Sequence, residues 1–588
     1  MDQKFMFSLL WPDYFEGRKL EARTRSGEGK LYNQEFLERD MNVEMLLEGM
    51  EIKNESRPYV RARLMDMVLD EKIIKYRQDI LQDFLDYPEI QQAFDHDLMP
   101  LVINLHKMEK TNISHDDDIR KIAWRLEILR VYTQCVTILH RVFCSKDRDF
   151  ISEGLKKLQS IINSIVENDG YKELVRLLPD LHEKLQTMSG VTLGVNLDHE
   201  LRPTEAVLLS IEPKPFKNKA LLTSIFGTKR NDEMYHGIGT FYSILKDTSA
   251  NALDQAIMRD LSYVMDDTFR HMAMVLARFE WIETAFISDL IPEVYYYIGG
   301  STLARNLLDN GLPVCFPTPL PADDRVFMVK DIYDASFAIR ILSDTGIKAL
   351  QNIVVTNNAR MGDDPGRLLI LTGANQGGKT TFTRAIGIAQ ILFQAGLPIP
   401  GTEGRMSPVD NIFTHFPELE KNSISEGRLG EECVRLEGIL PRLTKYSMIL
   451  MNESLSSTSH QESITIAEEI MKYLRTIGAR GVFATHMHEL AENLEEVNRI
   501  PALSNLVSLV AGVDESRQME VMTEEGVKQY RGSKRTYRII ESPPQGRSFA
   551  LDIARTYGIT FEQLLDSHKH RYEDGEEVDD TPAPRRIV

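Results

Sequence analysis

Between Gly373 and Thr380 the chain reads Gly-Ala-Asn-Gln-Gly-Gly-Lys-Thr, a complete G-x-x-x-x-G-K-[ST]. An apolar run, Leu368 to Leu371, precedes it, and Phe382, Ile386, Ala389 and Leu392 follow at helical spacing. A buried strand, a glycine-rich turn and an amphipathic helix, in that order, separate a phosphate-binding loop from a chance match. The glycines let the backbone curl so that successive N–H groups face phosphate oxygens, and the helix start adds partial positive charge. Lys379 is expected to reach the β- and γ-phosphates, and the Thr380 hydroxyl to sit on Mg2+. Gly373, Ala374, Asn375, Gln376, Gly377, Gly378, Lys379, Thr380 and Thr381 are therefore the expected contacts of a nucleoside triphosphate.

One phosphate loop hydrolyses nothing alone. Met448 to Met451 is a second short apolar run, suited to a central strand of a parallel sheet. It ends in Asn452-Glu453, where P-loop ATPases place a magnesium-associated residue and a water-activating carboxylate. A third run, Gly481 to Ala484, ends in Thr485-His486. Asn452 is thus the expected partner of the metal, Glu453 the expected base, and His486 a contact of the γ-phosphate from the far side. A histidine taken singly is as often an ordinary core or surface group. Three strand ends in this order make the pattern stronger than any one of them.

Gly373 to Thr381, Leu450-Met451-Asn452-Glu453 and Phe483-Ala484-Thr485-His486-Met487-His488-Glu489-Leu490 resemble the ATPase domain of the MutS family of DNA mismatch-repair proteins. Ala395 to Pro400, Val409 to Thr414 and Arg547 to Ala554 are similar to its weaker landmarks. Tyr297-Ile298-Gly299 followed by Leu312-Pro313 resembles the end of its helical core. The resemblance covers about residues 340–565, and about 30–340 only in the pattern of helices. It implies an ATP- and Mg2+-dependent ATPase that dimerises head to tail and couples ATP-driven closure to DNA, in repair or recombination. Because one expected metal partner is uncharged, the alternative is a nucleotide-sensing scaffold with little or no turnover.

Four departures from the family pattern stand out. Asn452 replaces the usual Asp. In the signature loop, which in the family reaches the γ-phosphate of the partner subunit, Ser425-Glu426-Gly427-Arg428 fits the start. Leu429-Gly430-Glu431-Glu432 then replaces Ser-Thr-Phe-Met. The resemblance makes Ser425 and Gly427 the contacting positions there, while Arg428 either enters the partner's site or caps a helix with Glu431. Val354 stands ahead of Thr356-Asn357, where an aromatic residue often stacks on adenine, and Asn357 is expected at the nucleotide. Nothing near the start of the chain resembles the family's mismatch-reading Phe-x-Glu wedge, and the Phe-x-Glu at Phe416-Pro417-Glu418 lies within the ATPase segment.

The 588 residues allow two to four domains. With 42% hydrophobic and 27% charged residues, the composition is that of a soluble globular protein. Phe5 to Trp11 is too short for a signal peptide and follows no basic start, and no apolar run of about 18 residues exists. Cys135, Cys144, Cys315 and Cys433 are scattered, which points to reduced thiols, a cytoplasmic setting and no zinc site. A net charge of −19 opposes a broad nucleic-acid face. Lys214, Lys217, Lys219, Lys229 and Arg230, interleaved with Phe216 and Phe226, are either a local nucleic-acid contact or a solvated lysine loop.

The expected architecture is an ABC-like α/β P-loop NTPase domain with a mostly parallel sheet at residues 325–565. A mainly α-helical core or lever domain at 36–324 precedes it. Residues 1–35 read as irregular, and 566–588 as an acidic tail without a core. Within the helical region, Ile122, Leu126, Leu129, Thr133, Val136, His140 and Phe143 form one apolar stripe. Ile151, Leu155, Leu158, Ile162 and Ile165 form another. Val191 to Leu197 alternates strictly and Val207 to Ile211 follows, giving a small β interruption near 191–230 that is either a reduced clamp or a structural hairpin. Met265, Met272 and Met274 read as core packing.

Overall fold

The computed structural model describes residues 6–26, 31–54, 56–110, 118–145, 148–186, 190–212, 214, 217–218, 236–237, 266–280, 282, 285–346, 349–373, 376–417, 428–455, 459–492, 494–514, 518–523, 526–531, 534–544, 559, 561 and 564. They fall into two compact units. One combines Met1–Leu9 with Gln82–Val294, the other Leu10–Leu81 with Tyr295–Val588.

This division differs from the expected boundary at 324/325. The helices Gln34–Asp40, Val43–Gly49 and Arg57–Leu64 belong to the phosphate-loop unit. Met41 packs against Gly387, where a Cβ would lie 2.2 Å from the Met41 sulfur, and Gly49 packs against Ile339 and Leu303. The Arg384 Nε donates to the Asp40 carbonyl at 2.8 Å, and the Gln394 amide to the Val68 carbonyl at 3.0 Å. Helical periodicity shows which face of a helix is apolar, but not which core that face enters. The first segment is not wholly irregular either, since Tyr14–Ser26 is a helix.

The helical unit is built on Met99–Lys110, Asp118–Phe143, Glu153–Glu167 and Asp169–Gln186. Leu126, Leu129, Thr133, Val136 and Phe143 are buried as expected, while His140 is only half-buried. Ile151 is 63% exposed because it precedes the helix, which starts after Ser152; the Ser152 hydroxyl accepts from the Leu155 N–H. The Asp83 carboxylate accepts from the Ile151 and Ser152 N–H groups, both at 2.9 Å. Met272 is buried, whereas Met274 is 68% exposed and is not core; Met265 lies outside the described residues. The antiparallel pair Gly190–Leu197 and Pro203–Glu212 forms as expected. Its Val195 and Leu197 are nonetheless exposed, so the alternation marks a strand without marking a buried face. Phe216, Lys219, Phe226, Lys229 and Arg230 lie outside the described residues.

The phosphate-loop unit is organised by a six-stranded sheet: β1 (Leu368–Thr372), β2 (Ile412–His415), β3 (Met448–Asn452), β4 (Arg480–Ala484), β5 (Leu506–Asp514) and β6 (Lys534–Glu541). Their order across the sheet is β2-β3-β4-β1-β5-β6. All neighbours are parallel except β5 and β6. Strands β1 to β4 are buried along their whole length, as continuous apolar runs covered on both faces require. The helix α1 (Lys379–Ala395) follows β1, α2 (Arg428–Ile439) lies between β2 and β3, and α3 (His460–Ile477) links β3 to β4. A second sheet pairs Thr318–Pro319, Glu403–Met406, Phe327–Ile332 and Asn357–Met361 in that order. Arg480, fully buried, ties the two sheets by donating to the carbonyls of Val326, Ser407 and Pro408. Among the described residues no helix is long and apolar enough to cross a membrane, and the four cysteines are free thiols.

Candidate functional site

Parallel register sets Leu371 beside Ala484 and Asn452 beside Ala484, so β1, β3 and β4 end side by side. Residues beyond those carboxyl ends face one crevice, the usual ligand position in such sheets. Gly373, immediately after β1, has φ 128°, and a Cβ there would lie 3.0 Å from the Ala511 nitrogen. Gly378 (φ 92°) is the N-cap of α1. Both positions are strained for any residue with a side chain.

Lys379 begins α1, is 4% exposed, and its Nζ donates to the Gly373 carbonyl at 2.7 Å. Burial lowers its ammonium to about 8, opposed by the nearby Glu453 charge and assisted by Arg535. The Thr380 hydroxyl donates to the Asn452 Oδ1 at 2.9 Å. The Glu453 carboxylate lies 3.2 Å from the His486 Nε2, and the same ring's Nδ1 is 3.5 Å from the Lys379 Nζ. His486 is the main reason the Glu453 carboxyl is held below its ordinary range; burial opposes this and the charges of His486 and Lys379 add to it. Glu453 itself has φ 50°, and its N–H donates to the Ala484 carbonyl at 2.8 Å. Lys379, Thr380, Asn452, Glu453 and His486 are therefore brought together.

Gln376, Gly377, Gly378, Lys379, Thr380 and Thr381 line one side of a cavity of about 400 Å³. Phe337, Ile353, Val354 and Tyr537 line it as well, with the Tyr537 ring beside Gly378, where a Cβ would lie 3.6 Å from its Cδ1. The cavity that Val354 lines thus also carries two aromatic rings, those of Phe337 and Tyr537. Phe337 is set in place by Asp334, whose Oδ1 caps the helix Ala335–Thr345 by accepting the Phe337 N–H at 3.1 Å. Tyr537 sits on β6 with φ 56°. Asn357 also lines the cavity, but its side chain is engaged with β6: Nδ2 donates to the Tyr537 carbonyl at 3.1 Å and Oδ1 accepts the Ile539 N–H at 2.7 Å. Its observed role is to hold Tyr537. Arg535, also on β6, donates to the Gln376 side chain at 2.8 Å.

Sequence reasoning missed Phe337, Tyr537 and Arg535. The alternating, aromatic Thr536-Tyr537-Arg538 marks a strand, but only strand order places it beside the phosphate loop. Ala374, Asn375, Ser425 and Gly427 lie outside the described residues, as do Glu418 and residues 547–554. Phe416 is buried, which suits a core position. Among the described residues no cluster of three or more His, Cys, Asp or Glu side chains could hold an ion.

Two family models match. The MutS2 N-terminal domain covers residues 69–310, and MutS domain V covers residues 369–556. Among similar curated proteins, the DNA mismatch repair protein MutS of Caldicellulosiruptor bescii is 33% identical over 154 residues, 26% of this chain and 18% of that protein. The DNA mismatch repair protein MutS of Chlorobium chlorochromatii is 38% identical over 135 residues, 23% of this chain and 15% of that protein. The matched stretch thus spans less than a fifth of each relative's length. With a domain V match laid over the strand ends that converge on Lys379 and Glu453, and a second MutS-type match over the helices before it, this chain belongs to the MutS family.

Proposed function

We propose that this protein binds and hydrolyses Mg-ATP and uses the cycle to drive a motion between two copies of itself that is coupled to DNA. One observation carries the reading: the pairs Thr380–Asn452 and Glu453–His486 meet beside Lys379 at three adjacent strand ends. The cavity fits an adenine nucleotide, with Phe337 and Tyr537 for the base and residues 376–381 for the phosphates. When bound, Mg2+ would supply positive charge that neutralises charge developing on the phosphates. The residues to hold it are Thr380, through its hydroxyl, and Asn452 in support.

Glu453 accepts a proton from the attacking water, which raises the nucleophilicity of its oxygen towards the γ-phosphorus. The His486 bond keeps this carboxylate ionised and oriented. Lys379 stabilises charge on the β- and γ-phosphate oxygens. The segment 418–427, between β2 and α2, is the expected reach to the partner's nucleotide through Ser425 and Gly427. Binding would then close the dimer and hydrolysis reopen it. Support for DNA as the substrate comes from the relatives named as DNA mismatch repair proteins.

A second reading follows from Asn452, which brings no charge to the metal: an ATP-bound scaffold with little turnover. Steady-state Mg-ATP turnover of the chain and of Glu453→Gln, with and without duplex, mismatched, single-stranded and four-way-junction DNA, separates the two. Turnover stimulated by one of these and lost in Glu453→Gln supports the DNA-coupled ATPase. Tight ATP binding with flat, near-zero turnover favours the scaffold.

A further inference from the structure

The loop that follows Glu453 is held from an unexpected direction. Glu453 and Leu455 both lie in the left-handed region, at φ 50° and φ 65°, a conformation that non-glycine residues keep only when their surroundings impose it. Four contacts do so besides the Glu453 N–H bond to Ala484. The Ser454 hydroxyl lies 2.7 Å from the His415 Nδ1 and 3.2 Å from the His415 carbonyl. The Ser463 hydroxyl donates to the Leu455 carbonyl at 2.6 Å. The Leu455 N–H donates to the Glu432 Oε2, also at 2.6 Å.

His415 and Glu432 occupy the two stems of the segment 418–427. His415 ends β2, and Glu432 lies in the first half of α2. Arg435 fastens these stems to each other, donating from α2 to the carbonyls of Thr414 at 2.9 Å and Phe416 at 3.0 Å. The Glu453 loop is thereby held from both β2 and α2. Glu432 belongs to the four residues at which this chain departs from the family's signature, where Met usually stands. A thioether is a weak acceptor, so a carboxylate makes a bond there that Met would not.

We infer that Glu432 is a positioning residue: through the Leu455 amide it fixes the loop that aims the Glu453 carboxylate. The inference rests on the reading of Glu453 as the base. Without the Glu432 acceptor, the Leu455 amide exchanges more readily with water and the carboxylate departs from its in-line position. A misplacement on the order of 1 Å costs up to about 100-fold in rate.

The test uses the full chain with Glu432→Ala, Glu432→Met, Glu432→Gln and Glu453→Gln, each checked for an unchanged melting transition. Steady-state turnover, the Kd for a fluorescent ATP analogue and hydrogen exchange of the peptide containing Leu455 are measured. The expected result is a kcat about 10- to 100-fold lower in the Ala and Met variants. Their analogue Kd stays within about twofold, and Leu455 exchange is faster. Glu432→Gln, which keeps an acceptor oxygen, should restore most of the rate. Parental kcat in both the Ala and Met variants, alongside loss of turnover in Glu453→Gln, would overturn the role of Glu432 and leave the ATPase intact. If the parent chain itself shows no turnover, the hydrolytic reading fails. Leu455 exchange then decides alone, and exchange unchanged by both substitutions refutes the link.

Discussion

The Thr380 hydroxyl donates to the Asn452 Oδ1 across 2.9 Å, joining the start of α1 to the end of β3. An amide oxygen accepts this bond as a carboxylate would but brings no charge, so at the proposed metal site Asn452 supplies geometry alone. Asn452→Asp should restore that charge. We expect the Mg2+ concentration for half-maximal turnover to fall by about 10-fold, the lower end of what an outer-shell partner contributes. A Mg2+ titration at saturating ATP checks this, and an unchanged midpoint would separate Asn452 from the metal.

Removing the imidazole of the pair at the other strand end gives a pH signature. His486 holds the Glu453 carboxyl below its ordinary range, so the base form persists to lower pH in the parent chain. In His486→Ala the carboxyl should rise, and the acid limb of the kcat profile should move to higher pH. A limb that stays in place, measured from pH 4 to 8, would show that Glu453 does not control it.

Lys379 is lowered to about 8 by burial. Phosphates bind its ammonium form, so affinity is greatest below about pH 8 and declines as pH rises through that value. The expected slope is about tenfold in Kd per pH unit above 8, one proton being taken up on binding. Fluorescent-nucleotide titrations at pH 7, 8 and 9 test it; a Kd independent of pH in this range would contradict it.

Tyr537 is held at a positive φ by Asn357, with its ring lining the cavity beside Gly378. Tyr537→Phe keeps the ring and should bind ATP like the parent. Tyr537→Asn tolerates the backbone conformation but removes the ring, and loss of about 1 kcal/mol of aromatic contact should weaken ATP roughly fivefold. Equal affinity of the two variants would remove Tyr537 from the base site.

Asp66 offers a test of stability apart from nucleotide chemistry. Burial raises its carboxyl to about 6, against the opposing charges of Arg63 and Arg77. The folded value lies above the unfolded 3.8, so the native chain holds this proton the more tightly. Its contribution is fully present below about pH 4 and is lost as pH rises through 6. Asp66→Asn should flatten that decline, seen as urea midpoints that change less between pH 4 and 7. An identical pH slope in both chains would refute it.

The reach of the sequence follows the range of the interactions. Gly373, Gln376 to Thr381, Asn452-Glu453 and His486 were legible because each follows the end of a continuous apolar strand, so position along the chain and position in the candidate site coincide. Phe337, Tyr537 and Glu432 were not. Each acts through a packing or hydrogen-bond partner far away in the chain, and nothing local distinguishes it. The same limit explains Ile151, whose spacing fits a stripe, and Met274, read as core packing; both side chains are exposed. Helices between residues 34 and 64 were visible as helices, yet their core is shared with α1 and with the helix Ala335–Thr345.

That shared core has a consequence for biosynthesis. Leu37, Met41, Val43, Leu46 and Leu47 are fully or almost fully buried, in a unit whose other residues begin only at Tyr295. The ribosome therefore releases these side chains more than 200 residues before their neighbours exist. The intervening helical unit can complete its own core first, while the early helices wait with apolar faces uncovered and in need of chaperone shelter. An ATPase fragment started at residue 325 would lack those helices for good, and would be expected to aggregate rather than turn over nucleotide.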